Sequence, residues 1–106
     1  MATGSQLTLY ASRNLKHGHR SAIDWILEVA KASGVHGATV MEGSQGVDAH
    51  GRVHAARFFE LADEPAMVVV VAEDATIDAL LATLGQGGIP LFYTRMPLEF
   101  GHIGGP

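Results

Sequence analysis

Apolar and polar positions alternate at the beginning of the chain. Leu7, Leu9 and Ala11 fall on one face of an extended segment, with a hydroxyl-bearing residue between each pair. A period of two is typical of a β-strand that buries one face. The alternation returns over residues 38–42 and again in "IPLFYTRM", and a run of apolar residues, "AMVVVVA", lies between them. The pattern therefore predicts four strands, and the third should be covered on both faces.

Two segments carry the apolar period of a helix instead. The first follows Ser21, which stands three residues before an aspartate as a helix cap does, and Gly34 is suited to end it. The second follows the third strand, where Asp74 or Thr76 can cap it, and "GQGG" ends it. Pro97 is expected to limit the last strand, and "PLEF" can add a short edge piece. The order βαββαβ predicts an α+β, ferredoxin-like domain, in which a four-stranded antiparallel sheet carries both helices on one face.

The composition indicates one domain with an apolar surface to cover. A chain of 106 residues is long enough for a single core, which we place at residues 6–100, with a flexible tail at residues 101–106. Hydrophobic residues make up 47% and charged residues 17%. The sheet face away from the helices should carry Thr8, Tyr10, Thr39, Met41 and half of the valine run. Exposing such a face costs roughly 25 cal/mol per Å², so we expect copies of the chain to pack on it.

Charge and residue usage narrow the class of protein further. The net charge is −4 with only seven Lys and Arg, which argues against nucleic-acid binding. No cysteine is present, so disulfides and thiol nucleophiles are excluded. The longest apolar run is too short to cross a bilayer, and we expect a cytoplasmic protein without membrane insertion. The sequence also lacks the nucleophile and phosphate-binding motifs of common enzymes, so we expect no enzyme activity.

The segment between the second and third strands, residues 43–64, breaks the pattern. It holds three glycines and six charged residues, and no apolar period precedes Phe58 and Phe59. Such a segment buries too little surface to offset the entropy of ordering it, so we expect it to be mobile and cut by proteases near Arg52 and Arg57. One phenylalanine should pack on the protein, and the other is available to anchor a partner.

Glycines and arginines are the candidate anion-binding groups. Gly85, Gly87 and Gly88 can present backbone N–H groups to an anion, although they can equally be a helix end and a turn. Because this loop leaves a helix C-terminus, whose dipole repels anions, it needs cations nearby. Arginine binds phosphate or carboxylate through two parallel hydrogen bonds. The candidates are Arg52, Arg57 and Arg95, for which the alternative is pairing with neighbouring carboxylates.

The histidines raise an alternative interpretation as a metal-binding protein. His50 and His54 are four residues apart, a spacing that suits a metal if the stretch is helical. His17 and His19 flank a glycine. Without cysteine, a site would need histidine and carboxylate together. Solvent-exposed histidines are the simpler interpretation, and metal binding remains the alternative function.

Three segments of the sequence resemble a known family. They are "GVHGATVMEGSQGVDAHG", "ARFFELADEPAMVVVVAEDATIDALLATL" and "GQGGIPLFYTRM". Together they are similar to PII-like signalling proteins, in a branch of uncharacterised function, and the resemblance covers roughly residues 6–100. It implies a homotrimer that binds a small anionic effector, such as an adenine nucleotide, in clefts between subunits. It also implies that residues 43–64 are a T-loop contacting a target protein, such as a transporter or an enzyme.

The resemblance further assigns roles by position. The ligand-binding residues that it implies are Gln45, Gly46, Val47, Gly85, Gly87, Gly88 and Arg95, and those that it implies for partner binding are Arg52, Arg57, Phe58 and Phe59. Two positions depart from the family pattern. The segment from Gly43 to Asp48 has no aromatic residue, and no lysine follows "GQGG".

Overall fold

The computed structural model describes residues 2–42 and 65–105 of the chain. None of the helices in these two ranges is long and apolar enough to cross a membrane. In chain order the elements are β1 (Ala2–Ser12), β2 (Lys16–His17), β3 (Arg20–Ser21), α1 (Ala22–Ala32), β4 (Gly37–Glu42), β5 (Pro65–Ala72), α2 (Asp74–Gly85) and β6 (Phe92–Phe100).

The main sheet confirms the predicted fold. Its strands run in the order β4-β5-β1-β6, and every neighbouring pair is antiparallel. In the register, Leu7 of β1 lies between Val70 of β5 and Arg95 of β6. The buried residues of the two central strands alternate with half-exposed ones, so one face of the sheet is covered and the other is open. Both helices pack on the covered face. The chain is therefore an α+β, ferredoxin-like domain.

One core fills the space between the sheet and the helices. Leu7, Leu9, Val68 and Val70 of the central strands are fully buried. They meet the apolar stripes of the helices, whose fully buried members are Ile26, Ile77 and Leu80. Each such side chain contributes roughly 1.5–3 kcal/mol by leaving water. This burial fixes the register of the sheet, since a one-residue slip would turn the leucines to the open face.

The two helices begin differently. The hydroxyl of Ser21 accepts a hydrogen bond from the backbone N–H of Asp24 at 3.0 Å, so the predicted cap of α1 is confirmed. Gly34 follows α1 with a φ of 81°, as expected for a helix end. The prediction for α2 was wrong, because Glu73 occupies the N-cap position and no side chain caps the helix. The carboxylate of Asp74 accepts a hydrogen bond from Ser5 instead.

The last strand continues past the proline that was expected to limit it. β6 runs from Phe92 to Phe100 and pairs with β1 along its whole length. Pro97 is tolerated because β6 is an edge strand, where a residue can turn its missing N–H away from the ladder. Leu91, predicted as part of this strand, lies before it.

The sheet face away from the helices is open in the single chain, as predicted. Met41, Phe92 and Met96 on this face are about half exposed. Val69 and Val71 are half-buried, so the described residues of one chain fully cover the third strand of the main sheet on its helix face only, and cover of its second face stays a prediction. Thr8 is only 8% exposed, because neighbouring strands flank it on both sides.

A small hairpin interrupts the connection between β1 and α1. Lys16 pairs with Ser21, and His17 pairs with Arg20. Gly18 makes the turn with a φ of 64°, a conformation that glycine adopts without strain. We call residues 13–21 the basic hairpin.

Candidate functional site

The connections gather at two ends of the sheet. Ser12 pairs with Pro65, and Glu42 pairs with Ala66, so both flanks of the 43–64 segment lie at the end where β1 finishes. We call this the loop end. Helix α2 follows β5 and therefore starts at the opposite end of the sheet. It runs back to the loop end, since β6 begins there with Phe92 paired to Tyr10. The turn at Gly85–Gly88 is therefore at the loop end too, where the flanks of the 43–64 segment also lie.

The glycine turn, residues 85–88, is first of all the end of α2. The N–H of Gln86 donates to the carbonyl oxygen of Thr83 at 3.1 Å, and that of Gly87 donates to Leu84 at 3.0 Å. These two groups are thus already used. Gly88 has a φ of 77°, and its N–H donates to no backbone oxygen of residues 2–42 or 65–105. It is the backbone donor in the turn that remains available to a ligand.

Gly87 is held against an aromatic stack. A Cβ at this position would overlap atoms Cη2 and Cζ2 of Trp25, so only glycine fits here. Trp25 is buried, and the ring of His17 stacks on its other side with centroids 3.9 Å apart and planes 8° from parallel. The stack therefore joins the glycine turn, helix α1 and the basic hairpin. Packing of Trp25 was expected, whereas its contact with the turn was not visible in the sequence.

Arg95 is engaged by the first turns of α2. It lies opposite Leu7, so its side chain points to the helix-covered face. Its Nη1 donates to Asp78 at 2.6 Å, and its Nη2 lies 3.3 Å from the carboxylate of Asp74. Its Nε donates to the hydroxyl of Ser5 at 3.1 Å, and Ser5 is only 3% exposed. The guanidinium thus ties β6 and β1 to α2.

The same cluster shifts the ionisation of its members. The hydroxyl of Ser5 and then the guanidinium of Arg95 hold the pKa of Asp74 below its usual value. The pKa of Arg95 is raised, chiefly by its hydrogen bond with Asp78. An anion approaching Arg95 would therefore meet the carboxylates of Asp74 and Asp78, which already engage its guanidinium.

Arg95 and the glycine turn are therefore not brought together. Asp78 precedes Gly85 by seven residues in α2, which corresponds to about 10 Å along the helix axis. Arg95 faces the opposite end of the sheet from the turn. Its predicted role as an effector ligand stays a prediction that would require the side chain to leave Asp74 and Asp78.

An apolar cleft lies on the other side of the glycine turn. It has a volume of about 230 Å³ and opens between α2 and the beginning of β6. Tyr93 at its edge is about half exposed. A flat apolar group of modest size would fit such a cleft beside the turn. The residues that line it are Leu9, Leu81, Leu84, Gly85, Ile89, Leu91 and Tyr93.

The basic hairpin is a feature that the sequence reasoning missed. Five of the eight residues 13–20 are Lys, Arg or His, in a chain of net charge −4. That local density was the signal that could have marked it. Arg13 pairs with Glu42, and Arg20 pairs with Glu28 at 2.9 Å. Lys16 and His19 are exposed, and within the described ranges their side chains make no hydrogen bond or ion pair.

Several of the sequence-derived site residues lie outside the described residues. These are the proposed ligand-binding residues Gln45, Gly46 and Val47, the proposed partner-binding residues Arg52, Arg57, Phe58 and Phe59, and the histidines His50 and His54. In the parts of the chain that are described, no three His, Asp or Glu side chains gather to hold a metal ion. His36 lies instead in a pair with Glu73, at 3.0 Å.

Comparison with known proteins identifies the family. Residues 4–87 match DUF190, described as uncharacterized ACR, COG1993. The chain belongs to the DUF190 family. The match spans both helices, the first three strands of the main sheet and the start of the glycine turn. No curated protein matches the chain significantly.

Solved structures give this DUF190 chain its structural relatives. A protein described as a PII-like signalling protein, from Thermus thermophilus, superposes with a TM-score of 0.60 at 13% identity, covering 92% of this chain and 91% of that one. CPII, a nitrogen regulatory PII-like protein from Thiomonas intermedia bound to ADP, AMP and bicarbonate, gives 0.60 at 12% identity over 95% and 96%. CPII bound to ADP, AMP and acetate gives 0.57 at 13% identity over 96% and 94%. The likeness confirms the PII-like fold.

Proposed function

We propose that this DUF190 protein is a PII-like regulatory protein rather than an enzyme. It assembles as a homotrimer, binds a small anionic effector between subunits, and signals through the 43–64 segment to a target protein, such as a transporter or an enzyme. The observation that carries the proposal is the placement of the glycine turn at the same end of the sheet as Glu42 and Pro65, which flank that segment. A ligand at the turn therefore lies where it can bias the conformation of the segment.

The open sheet face supports the trimer. Met41, Phe92 and Met96 leave an apolar surface that nothing in residues 2–42 or 65–105 covers. Copies of the same chain are the simplest cover, and closed symmetry is the common outcome when identical chains associate. Subunits packed through this face would bring the edge strands β4 and β6 of neighbouring chains near each other, with the glycine turn and the apolar cleft close by.

The effector that we propose is an adenine nucleotide or a similar small anion. CPII, which shares the fold, binds ADP and AMP together with a carboxylate-like anion. In this chain the apolar cleft can accept a flat ring, and Gly88 offers a backbone N–H to a phosphate. Gln45, Gly46 and Val47 are proposed to complete the site from the base of the 43–64 segment.

Calorimetric titration of the purified protein tests the proposal. ADP, AMP and bicarbonate are titrated separately, and thermal melting is followed with each, since a ligand of the folded state raises the melting temperature by mass action. Zn²⁺ and Cu²⁺ form a second panel, because binding of metal without binding of any nucleotide would favour the alternative of a metal-binding protein. Light scattering in the same buffer should give about three times the 11.2 kDa chain mass. A monomer that binds no anion would overturn the proposal.

A further inference from the structure

The two ends of the sheet differ in charge. Of the five Lys and Arg residues in the described ranges, three lie in the basic hairpin at the loop end. The opposite end carries Glu73, Asp74 and Asp78 at the start of α2, and its one strand arginine, Arg95, is held by two of them. An anion is therefore repelled more strongly from the first turns of α2 than from the loop end.

We propose that the basic hairpin supplies the cationic half of the anion site, with Lys16 and His19 contacting the phosphate groups of a ligand at the glycine turn. The inference rests on the proposed function in taking the effector to be an anion at that turn. It differs from the assignment by resemblance, because it replaces Arg95 with two residues that no comparison assigns. The ligand class is a small phosphate-bearing anion, such as a nucleoside diphosphate or pyrophosphate.

Availability distinguishes these two side chains from the other cations. Lys16 and His19 are exposed and make no contact with a carboxylate of the described residues. Arg13 and Arg20 each pair with a glutamate at the surface, where such pairs are weak and can open. Arg95, in contrast, would have to give up hydrogen bonds with Ser5, Asp74 and Asp78.

Position is fixed by the aromatic stack. Lys16 is next to His17, whose ring lies on Trp25, and the far edge of the same indole touches Gly87. The hairpin is thus separated from the glycine turn by one aromatic side chain. Lys16 precedes His17 directly and His19 follows it by two residues, so both side chains begin within two residues of the ring that stacks on the indole. The turn needs such help, since it ends a helix whose dipole disfavours anions.

The local acidic groups equal the three Lys and Arg of the hairpin in number, but none of those in the described ranges pairs with Lys16 or His19. Glu28 and Glu42 are neutralised by Arg20 and Arg13. Asp24 is exposed in the first turn of α1, where the positive end of the helix dipole partly offsets it. Lys16 and the imidazole of His19 therefore face a ligand without a carboxylate committed to either of them.

Charge-removal variants at the two ends of the protein test the inference. The test variant is Lys16→Ala combined with His19→Ala. The matched control is Lys31→Ala combined with His102→Ala, which removes the same residue types from the end opposite the loop end, where both are exposed. ADP and inorganic pyrophosphate are titrated into each by calorimetry, at low and at moderate salt. Light scattering and denaturant unfolding confirm that each variant is folded and assembled.

The inference expects the test variant to bind both anions about tenfold or more weakly, as loss of charged hydrogen bonds implies, while the control binds like the parent. Binding to the parent should also weaken as salt rises. Equal binding of ADP by the test variant and the parent would overturn the hairpin site and leave the proposed function intact. Loss of pyrophosphate binding in the test variant, with no binding of ADP to any form, would support the hairpin site and overturn the adenine-nucleotide effector. No anion binding to the parent would overturn both.

Discussion

Three glycines in one short turn should respond to alanine for three different physical reasons. At Gly87, a Cβ would overlap the indole of Trp25 and lie 3.2 Å from the carbonyl oxygen of Leu84. At Gly88, the backbone φ of 77° is one that alanine adopts only with strain. At Gly85, the last residue of α2, a Cβ would meet nothing within 4 Å. The substitution Gly87→Ala is therefore expected to be the most disruptive of the three.

The magnitudes follow from these environments. Forcing extra volume into a packed site costs roughly 1–3 kcal/mol, which we expect for Gly87→Ala because Trp25 is held by His17 on its other side and has little room to move. Gly88→Ala should cost about 1–2 kcal/mol from its left-handed backbone. Gly85→Ala should be neutral or stabilise by up to about 1 kcal/mol, since alanine is the better helix former.

Denaturant unfolding at a fixed protein concentration measures the three differences, and fluorescence reports the mechanism. Trp25 is the only tryptophan of the chain, so a displaced indole should change the emission of Gly87→Ala and leave that of Gly85→Ala unaltered. Trp25→Phe supplies a second test, because the phenyl ring lacks the part of the indole that touches Gly87. In that background the penalty of Gly87→Ala should shrink, which a double-mutant cycle quantifies.

The reasoning would be refuted by equal unfolding free energies and unchanged emission for Gly87→Ala and Gly85→Ala. That result would mean that the indole does not lie against the turn. The physical link between the basic hairpin and the glycine turn would then be lost with it.

Three further outcomes are expected. Met96→Glu places a charge on the open sheet face and should shift light scattering from trimer to monomer, whereas Lys31→Glu, an exposed substitution on α1, should not. The pKa of Asp74 is lower in the folded state than in the unfolded state, where it is about 4. The contacts of its carboxylate therefore stabilise the fold fully above the unfolded pKa and are lost as the pH falls through the folded pKa. Asp74→Asn should make the free energy of unfolding depend less on pH in this acid range. Deleting residues 48–57 should abolish binding of the target protein and preserve folding, and unfolding of the deletion variant would make that segment structural.

Local pattern was sufficient for the main architecture. The sequence shows which face of an element is apolar, through the alternation around Leu7 and Leu9 and the helical period after Ser21. In the fold, these apolar faces are the buried ones. The errors occurred where a distant partner intervened. Asp74 does not cap its helix because Ser5, far away in sequence, reaches its carboxylate. Pro97 does not end β6 because that strand turned out to be the sheet edge.

The candidate site was harder to predict for the same reason. Glycine residues in a sequence do not reveal whether they serve a helix end, a strained turn or a close contact, and here Gly85, Gly88 and Gly87 serve one each. An arginine in a strand likewise does not show its partners. Arg95 looked available because its two aspartates, seventeen and twenty-one residues earlier, lie on a different element.

Chain direction explains why the charges separate as they do. A crossover helix such as α2 begins at one end of the sheet and finishes at the other, and acidic side chains are favoured at its start. Glu73, Asp74 and Asp78 therefore collect at the end opposite the 43–64 segment. The C-terminal end of a helix favours basic side chains, but α2 has no basic residue in its last turn. Among the described residues, the Lys and Arg side chains at that end of the sheet belong to the basic hairpin, which Trp25 links to the turn. These cations supply the positive charge that the end of the helix leaves unmet, and the anion proposed to bind at the turn depends on them, because the helix dipole alone disfavours an anion there.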